Sequence, residues 1–326
     1  MSKLVTIFGG SGFIGRYIAR RLAKEGWRAR VAVRRPNEAI FVKPYGVVGQ
    51  VEPVLCNIRD DASVAAALLS ADAVVNCVGI LAPDGKNTFA SVQAEGAERI
   101  ARATADAGIR SLVQISAIGA DANSDSAYSR TKAAGEAAVQ KHVPSAHILR
   151  PSIVFGPEDQ FFNRFASMTR MSPVLPVVGA DTKFQPVYVD DVAKAAVACL
   201  TGAAPPGVYE LGGPDISTFR ELMRQMLTET RRQRGVLNIP FWAATVMGFG
   251  SEITNTLSLG LIPAQITRDQ VRNLRRDNIV DQDALSFADL DIQPVSLEAI
   301  LPEYLWRFRP SGQYDEIKES AKNLRS

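Results

Sequence analysis

Tyr128 and Lys132 have a spacing that suits proton transfer. They stand four residues apart in an alanine-rich helical pattern, so both project from one face and the lysine ammonium can approach the tyrosine phenol. A free phenol ionises at about pH 10, and a neighbouring cation lowers that pKa, which would let Tyr128 donate or accept a proton near neutrality. Ser116 stands twelve residues earlier, at a predicted strand end, and would hydrogen-bond a substrate carbonyl.

A glycine-rich loop follows the first predicted strand. Leu4 to Phe8 is an apolar, β-branched run typical of a buried parallel strand, and the G-x-G-x-x-G pattern after it leads into an amphipathic helix. Glycines permit the tight turn, the close approach of a pyrophosphate and the helix–strand packing, while the helix N-terminus offers free N–H groups. The sequence therefore predicts a dinucleotide site containing Gly9, Gly10, Ser11, Gly12, Phe13, Ile14 and Gly15.

Arg34 and Arg35 end the second predicted strand, Arg28 to Val33. At this position an acidic residue accepts from the ribose 2′-hydroxyl of NAD, whereas arginine suits a 2′-phosphate. Two arginines without a carboxylate favour NADP, and the alternative is a pair of solvated surface arginines.

Strands and helices alternate through the first half of the chain. Predicted strands at 51–55, 73–78, 111–115 and 146–149 are separated by helical patterns, which indicates an α/β Rossmann-type doubly wound parallel sheet. Ligands lie beyond the carboxyl ends of such strands. The predicted cofactor site therefore also contains Asn57, Ile58, Cys77, Val78 and Pro151 near these strand ends, together with Tyr128 and Lys132 on the helix.

Composition excludes several other classes of protein. At 326 residues and 46% hydrophobic content the chain can bury a large core, and a net charge of +3 does not favour nucleic acid as a partner. Three scattered cysteines point to a reducing compartment rather than a disulfide framework. The two histidines and these cysteines match no recognised metal-ligand spacing, so no metal is expected.

The alternation loosens after Gly156. We expect three parts: a Rossmann domain (1–156), a smaller lobe over the crevice that is integrated with it (157–234), and an extended C-terminal segment (235–326). In the lobe, Asp190 and Asp191 are expected to cap a helix from Val192 to Leu200. From 235 to 267 only Glu252 is charged, and arginines flank the stretch. It suits a membrane-surface or partner contact, with a lid or core helix as the equal alternative.

The motifs Gly9–Gly15, Ser116, Tyr128-x-x-x-Lys132 and Val189–Val192 resemble the extended and atypical short-chain dehydrogenases/reductases. This resemblance implies catalytic roles for Ser116, Tyr128 and Lys132. It also implies cofactor roles for Gly10, Ser11, Gly12, Phe13, Ile14, Arg34 and Asn57, although Asn57 stands where many members carry aspartate.

The C-terminal third resembles a narrower group. Residues 270–280, 285–290 and 299–309 are similar to the tail of the NADPH-binding accessory subunits of respiratory complex I, the NADH:quinone oxidoreductase. The resemblance implies a peripheral subunit that holds NADPH as a structural cofactor and contacts other complex I subunits, with membrane contact through 235–280. A chain without a basic leader before Leu4 resembles a bacterial protein on the cytoplasmic face of the inner membrane, or its matrix-side equivalent once processed.

Two functions remain open at this point. The first is an accessory role in which NADPH stabilises the fold and the C-terminal segment docks on the complex. The second is an active NADP-dependent reductase or nucleotide-sugar epimerase-like enzyme acting on a small carbonyl or sugar substrate. The retained Ser116, Tyr128 and Lys132 favour the second, and the charge-poor segment with its flanking arginines favours the first.

Overall fold

A parallel sheet forms the centre of the protein. The computed structural model describes residues 2–202, 204–247, 249, 267–310 and 312. The sheet has seven strands in the order β11-β6-β5-β4-β1-β2-β3. They are β1 (Leu4–Phe8), β2 (Arg28–Val33), β3 (Val51–Leu55), β4 (Ala73–Asn76), β5 (Ser111–Ile115), β6 (His147–Pro151) and β11 (Gly207–Leu211). The reversal of strand order beside β1 opens a crevice at the carboxyl ends of the strands.

Helices cover both faces of the sheet, so the predicted doubly wound Rossmann-type fold is confirmed. The helices α1 (Phe13–Lys24) and α6 (Val189–Thr201) lie on one face. The opposite face packs against α2 (Asp61–Leu68), α3 (Glu95–Asp106) and α4 (Ala127–His142). The central strands are buried and rich in valine and isoleucine because both faces are covered.

The predicted cap of α6 is wrong. This helix begins at Val189, so Asp190 and Asp191 lie in its first turn and make no N-cap hydrogen bond. Asp190 instead accepts from the guanidinium of Arg21 on α1 at 2.6 Å (Nε). Asp191 is fully buried and accepts from the N–H of Val295 at 2.7 Å. The two carboxylates tie α6 to α1 and to the C-terminal segment.

The smaller lobe is built from short paired strands and helices around its own core. Residues 189–211 return to the Rossmann sheet as α6 and β11, so the lobe is discontinuous in the chain. Its strand pairs are β7 (Val154–Phe155) with β10 (Val187–Tyr188), β8 (Val174–Val178) with β13 (Gly235–Ile239), and β9 (Lys183–Phe184) with β12 (Ser217–Thr218). Its helices are α5 (Phe162–Met168), α7 (Phe219–Glu229) and α8 (residues 241–247).

Much of the C-terminal segment packs within the fold. The short helix α9 (Arg268–Asn273) lies over α4, and α10 (Leu297–Leu305) completes the core of the lobe with Leu301 and Leu305 fully buried. A smaller part of residues 235–326 is therefore available to contact a partner. Residues 248, 250–266, 311 and 313–326 of the predicted docking segment lie outside the described residues. No helix in the described ranges has both the length and the apolar character needed to cross a membrane.

Asp269 connects this segment to the N-terminus of α4. Its carboxylate accepts hydrogen bonds from the Ser126 hydroxyl (2.8 Å), the Ala127 N–H (2.7 Å) and the Tyr128 N–H (3.1 Å). A negative charge at a helix N-terminus satisfies unpaired N–H groups and interacts favourably with the helix dipole. The contact therefore holds α9 against the helix that carries Tyr128 and Lys132.

We expect Asp269→Ala to lower the free energy of unfolding by about 2 kcal/mol, because three donors at one helix N-terminus lose a charged acceptor. Urea denaturation measures this change. Asp60→Ala is the matched control, since Asp60 caps α2 locally through the Ser63 N–H at 2.7 Å. Only the Asp269 variant should become sensitive to trypsin within residues 268–276. Equal sensitivity of both variants would contradict the proposed anchoring.

Candidate functional site

The loop between β1 and α1 is shaped by the absence of side chains. Gly9 has a φ of +72°, which favours glycine. A Cβ atom at Gly15 would lie 2.5 Å from the carbonyl oxygen of Gly9, and one at Gly12 would lie 3.1 Å from the same oxygen. The helix can therefore begin directly on the loop, with Ser11, Phe13 and Ile14 half-buried around it.

The N-terminus of α1 has the properties of an anion site. Gly12 at the N-cap provides no side-chain hydrogen bond, and the first turn contains no acidic residue. The free N–H groups and the helix dipole suit a pyrophosphate there. Arg16, which the sequence analysis did not single out, donates from Nη2 to the Ser11 carbonyl at 3.1 Å and stacks on the Phe41 ring at 4.8 Å. A cation in the first turn of a helix interacts unfavourably with the helix dipole, so the sequence offered this signal that Arg16 could contact a bound anion.

Arg34 and Arg35 are exposed beyond the end of β2. Arg35 pairs with Glu38 at 3.0 Å, and both side chains are largely exposed. Within the described part of the chain Arg34 makes no hydrogen bond or ion pair. The two arginines are therefore not equivalent, and Arg34 is the one whose guanidinium remains available to a ligand.

Asn57 and Ile58 form the turn after β3. The side-chain amide oxygen of Asn57 accepts from the Arg59 N–H at 3.2 Å. The backbone N–H of Asn57 donates to the Ser63 hydroxyl at 3.0 Å. Ile58 lies against α3, where a Cβ at Gly96 would be 2.9 Å from its Cδ1 atom. The Asn57 side chain thus shapes the turn, and Ile58 presents the apolar surface beside it.

Cys77 and Val78 follow β4 directly beside the glycine loop. A Cβ at Gly9 would lie 3.2 Å from Val78 Cγ2, so Val78 forms one wall of the loop. Burial raises the pKa of the Cys77 thiol to about 12, which keeps it neutral. Pro151, at the end of β6, is buried, and its carbonyl accepts from the Ile118 N–H at 3.1 Å. The structure thus places Cys77 and Val78 next to the predicted phosphate loop.

Tyr128 and Lys132 lie together at the start of α4. Lys132 Nζ is 6.0 Å from the centre of the Tyr128 ring and donates to the Ile115 carbonyl at 3.3 Å. Burial raises the pKa of Tyr128 to about 12 and lowers that of Lys132 to about 8. The expected lowering of the tyrosine pKa by the lysine is not found in this structure, because desolvation is the cause that shifts the pKa of Tyr128.

Ser116 belongs to a buried ionic network. Its hydroxyl donates to the Glu136 carboxylate on α4, and both residues are buried. Arg150 donates to the two oxygens of Glu136 at 3.0 and 2.6 Å, and Glu210 lies 3.4 Å from its third nitrogen. The second oxygen of Glu210 accepts from the Asp281 N–H at 3.0 Å. The hydroxyl proton of Ser116 is thus held by Glu136, a residue that the sequence analysis did not identify.

Together these features define a dinucleotide-binding Rossmann domain with a Tyr–Lys pair beside the crevice. Residues 5–212 match the model of the NAD dependent epimerase/dehydratase family. The chain therefore belongs to that family. This assignment agrees with the resemblance to extended short-chain dehydrogenases/reductases.

Several known proteins are similar over most of the chain. It is 35% identical over 316 residues to the Arabidopsis thaliana protein named NADH dehydrogenase (ubiquinone) 1 alpha subcomplex subunit 9, mitochondrial, covering 95% of this chain and 79% of the relative. The NADH-ubiquinone oxidoreductase 40 kDa subunit of Neurospora crassa is 30% identical over 321 residues, covering 98% and 83%. The ceramide reductase of Caulobacter vibrioides is 31% identical over 263 residues, covering 78% and 81%.

The fold is also found in solved structures of the family. The UDP-glucose 4-epimerase of Thermus thermophilus, solved in complex with NAD, superposes with a TM-score of 0.66 at 19% identity and covers 94% of this chain and 99% of its own. At this identity the likeness concerns the fold alone.

The lowered pKa of Lys132 makes stability depend on pH. Its usual pKa is 10.5 and its folded value is about 8. Between these values the unfolded chain binds more protons than the folded chain, so this group makes stability rise with pH across that window. Lys132→Met removes the effect. In the cofactor-free state, we expect Lys132→Met to be more stable than the original protein below pH 8. The difference between their free energies of unfolding should decrease by at most about 3 kcal/mol as the pH rises to 10.5.

Urea denaturation of both proteins across this range provides the test. The raised pKa of Tyr128 affects both proteins alike and cancels in the difference. The Lys132 charge lowers the pKa of Cys77, so its removal raises that pKa further, and the folded thiol stays protonated across this range in both proteins. A difference that stays constant with pH would show that Lys132 is not desolvated in the folded state.

Proposed function

We propose that this protein is an NADPH-binding accessory subunit of a respiratory NADH:quinone oxidoreductase, in which the nucleotide stabilises the fold. The observation that carries the proposal is the extent of the similarity to relatives named as subunits of that enzyme. The plant and fungal proteins match 95% and 98% of the chain, whereas the family model ends at residue 212. The likeness therefore extends through the lobe and the C-terminal segment, which distinguish this chain from the family in general.

NADPH is the nucleotide that the charges favour. Arg34 follows β2, where a 2′-phosphate would lie, and no carboxylate stands at that strand end. The free N–H groups at the start of α1 would hold the pyrophosphate, and Asn57 and Ile58 would border the adenine. The Cβ-free loop at Gly9, Gly12 and Gly15 leaves the space that the phosphates need, so the residues present fit the nucleotide.

A structural role for the nucleotide agrees with the hydrogen bonds and pKa values of the polar groups near its proposed site. NADPH can supply a hydride, but reduction of a carbonyl also needs a proton donor and a group that orients the substrate. The Ser116 proton is held by Glu136, and burial raises the pKa of Tyr128 to about 12. Asp269 of the same chain lies on the N–H groups of Ala127 and Tyr128, where an anionic substrate group would otherwise find donors.

The proposed docking surface is the apolar side of β13 and α8. Trp242 is 73% exposed and Leu237 is 57% exposed, and the side chains of Val246, Met247 and Phe249 are exposed beside them. Arg275 stacks on Phe241 at 5.4 Å at its border. Large apolar side chains gathered in one exposed segment mark an interaction site. We assign this surface to the contact with the complex at the membrane, on the cytoplasmic side in a bacterium or the matrix side in a mitochondrion.

An active reductase is the second candidate. The Tyr128–Lys132 pair is present on α4, and the Caulobacter relative is named a ceramide reductase. On this alternative, a substrate would displace Asp269 from the start of α4, and its carbonyl would accept a proton from Tyr128. A nucleotide-sugar substrate of the epimerase type would need the same displacement.

Gentle detergent extraction from native membranes tests the main proposal. Mass spectrometry identifies the chains that co-purify, and the nucleotide released on denaturation is identified and quantified. Subunits of NADH:quinone oxidoreductase with one NADPH per chain are expected. A lone chain with readily exchanged nucleotide would contradict the accessory role and favour the reductase.

Changing Arg34 to Asp should weaken NADPH binding at least about tenfold relative to NADH, because a charge-assisted hydrogen bond to the 2′-phosphate is lost and a like charge replaces it. Arg28→Asp is the matched control, since Arg28 is equally exposed at the opposite end of β2. Titration of the purified, nucleotide-free chain with each nucleotide measures both affinities. Equal weakening for NADPH and NADH would remove Arg34 from the phosphate site.

Tyr128→Phe separates the two candidate functions. If the nucleotide is structural, the variant should keep its NADPH content and its association with the complex, because only a hydroxyl is removed. If the chain is a reductase, turnover of a carbonyl substrate should fall by roughly 100-fold or more, the usual contribution of a proton donor. Reduced turnover with unchanged assembly would therefore count against a purely structural nucleotide.

A further inference from the structure

An arginine-lined cavity lies at the end of α7, on the lobe and away from the glycine loop. It has a volume of about 470 Å³, and four of its lining residues are Arg224, Arg231, Arg232 and Arg234. Among the described residues that line it, none is acidic. Neither the Rossmann site nor the proposed nucleotide accounts for this cluster of guanidinium groups.

Backbone carbonyls outside α7 hold two of these arginines in place. Arg232 donates from Nε to the Phe308 carbonyl at 2.9 Å, and Arg234 donates from Nε to the Thr169 carbonyl at 3.1 Å. These bonds fix the planes of both side chains while the Nη nitrogens of Arg232 donate to no acceptor in the described part of the chain. The two arginines are therefore not simply capping the C-terminus of α7, and a fixed guanidinium plane suits the recognition of an oxyanion.

Positive charge predominates around Arg232. Burial, and then the charges of Arg234 and Arg170, lower the pKa of Arg232, so its charged neighbours are cations. The two acidic residues of α7, Glu221 and Glu229, are not among the residues that line the cavity, and Glu221 accepts from the N–H and hydroxyl of Thr218 in the capping box. A bound anion would relieve the repulsion between the guanidinium groups.

The surroundings of the cavity indicate which kind of anion fits. Arg234 directly precedes β13, so the exposed side chain of Leu237 follows the cavity within that strand, and the exposed side chain of Trp242 follows in α8. Arginines beside exposed apolar and tryptophan side chains are typical of a surface that meets phosphate headgroups and the adjoining acyl region.

We propose that the arginine cavity at the end of α7 binds the phosphate group of an anionic membrane lipid while the apolar side of β13 and α8 enters the bilayer interface. This inference rests on the proposed docking at the membrane and assigns the lipid-binding part of that contact. The full chain with its bound nucleotide should bind phosphatidylcholine vesicles that contain phosphatidylglycerol much more tightly than vesicles of phosphatidylcholine alone.

Flotation of the protein with these vesicles measures the effect of the arginines. Removing Arg224 and Arg232 together, as Arg224→Gln/Arg232→Gln, should weaken binding about 25-fold, which is about fivefold for each charge near the membrane surface. Arg28→Gln/Arg110→Gln is the control with the same loss of charge at the amino ends of β2 and β5. Equal weakening by both pairs would overturn a specific site, since it would reflect net charge alone.

Arg224→Gln by itself guards against misfolding, because this side chain makes no hydrogen bond or ion pair with the described residues. It should weaken vesicle binding about fivefold with unchanged melting temperature and nucleotide content. Unchanged vesicle binding of both the single and the double variant would overturn the inference.

A competition experiment distinguishes the source of the phosphate. Sodium phosphate should release the chain from vesicles more effectively than sodium chloride of the same ionic strength, if the cavity recognises the phosphate group itself. Stabilisation by inorganic phosphate without any binding to phosphatidylglycerol vesicles would assign the cavity to a free anion and overturn the lipid inference. Co-purification with the oxidoreductase tests the proposed function separately, because it does not depend on these vesicle measurements.

Discussion

The close contact between the start of α1 and the loop after β1 is the constraint on which the site depends. Since a Cβ at Gly15 would lie 2.5 Å from the Gly9 carbonyl oxygen, any larger residue would push the helix away from the strand end. The position of α1 in turn fixes α6 through Arg21 and Asp190. The free helix N-terminus, the crevice and the position of α6 on the same face of the sheet are thus set by one backbone approach that only glycine permits.

Buried charge organises the other side of the crevice. Glu136 lies between the Ser116 hydroxyl and the Arg150 guanidinium, and it favours the charged form of Lys132 one helical turn earlier. Breaking a buried pair leaves an uncompensated charge, so these residues hold α4 in register with β5 and β6. The same network explains why a serine at a strand end, suited to bind a carbonyl, faces a carboxylate of its own chain instead.

Local patterns were sufficient to predict the central fold. The strands β1, β2, β3 and β5 have the predicted ends, because short β-branched runs between turns allow few alternatives. The glycine loop was predicted from the G-x-G-x-x-G spacing after the first strand, which is also a local pattern. Long-range partners were not predictable: Asp269 lies 142 residues after Ala127 in sequence, and Asp191 is bound by Val295. A carboxylate near the start of a helix is predicted to be a local N-cap when its donors elsewhere in the chain are unknown. For this reason the predicted cap of α6 was wrong.

The place of Asp269 bears on how the nucleotide is used. The N–H groups at the start of a helix such as α4 are donors to an anionic group such as a diphosphate. Here a carboxylate from the C-terminal segment already accepts from Ser126, Ala127 and Tyr128. A substrate would have to replace these three hydrogen bonds before it could contact Tyr128. These three bonds within the chain favour a held cofactor over one that is exchanged in each cycle, as the proposed structural role of the nucleotide requires.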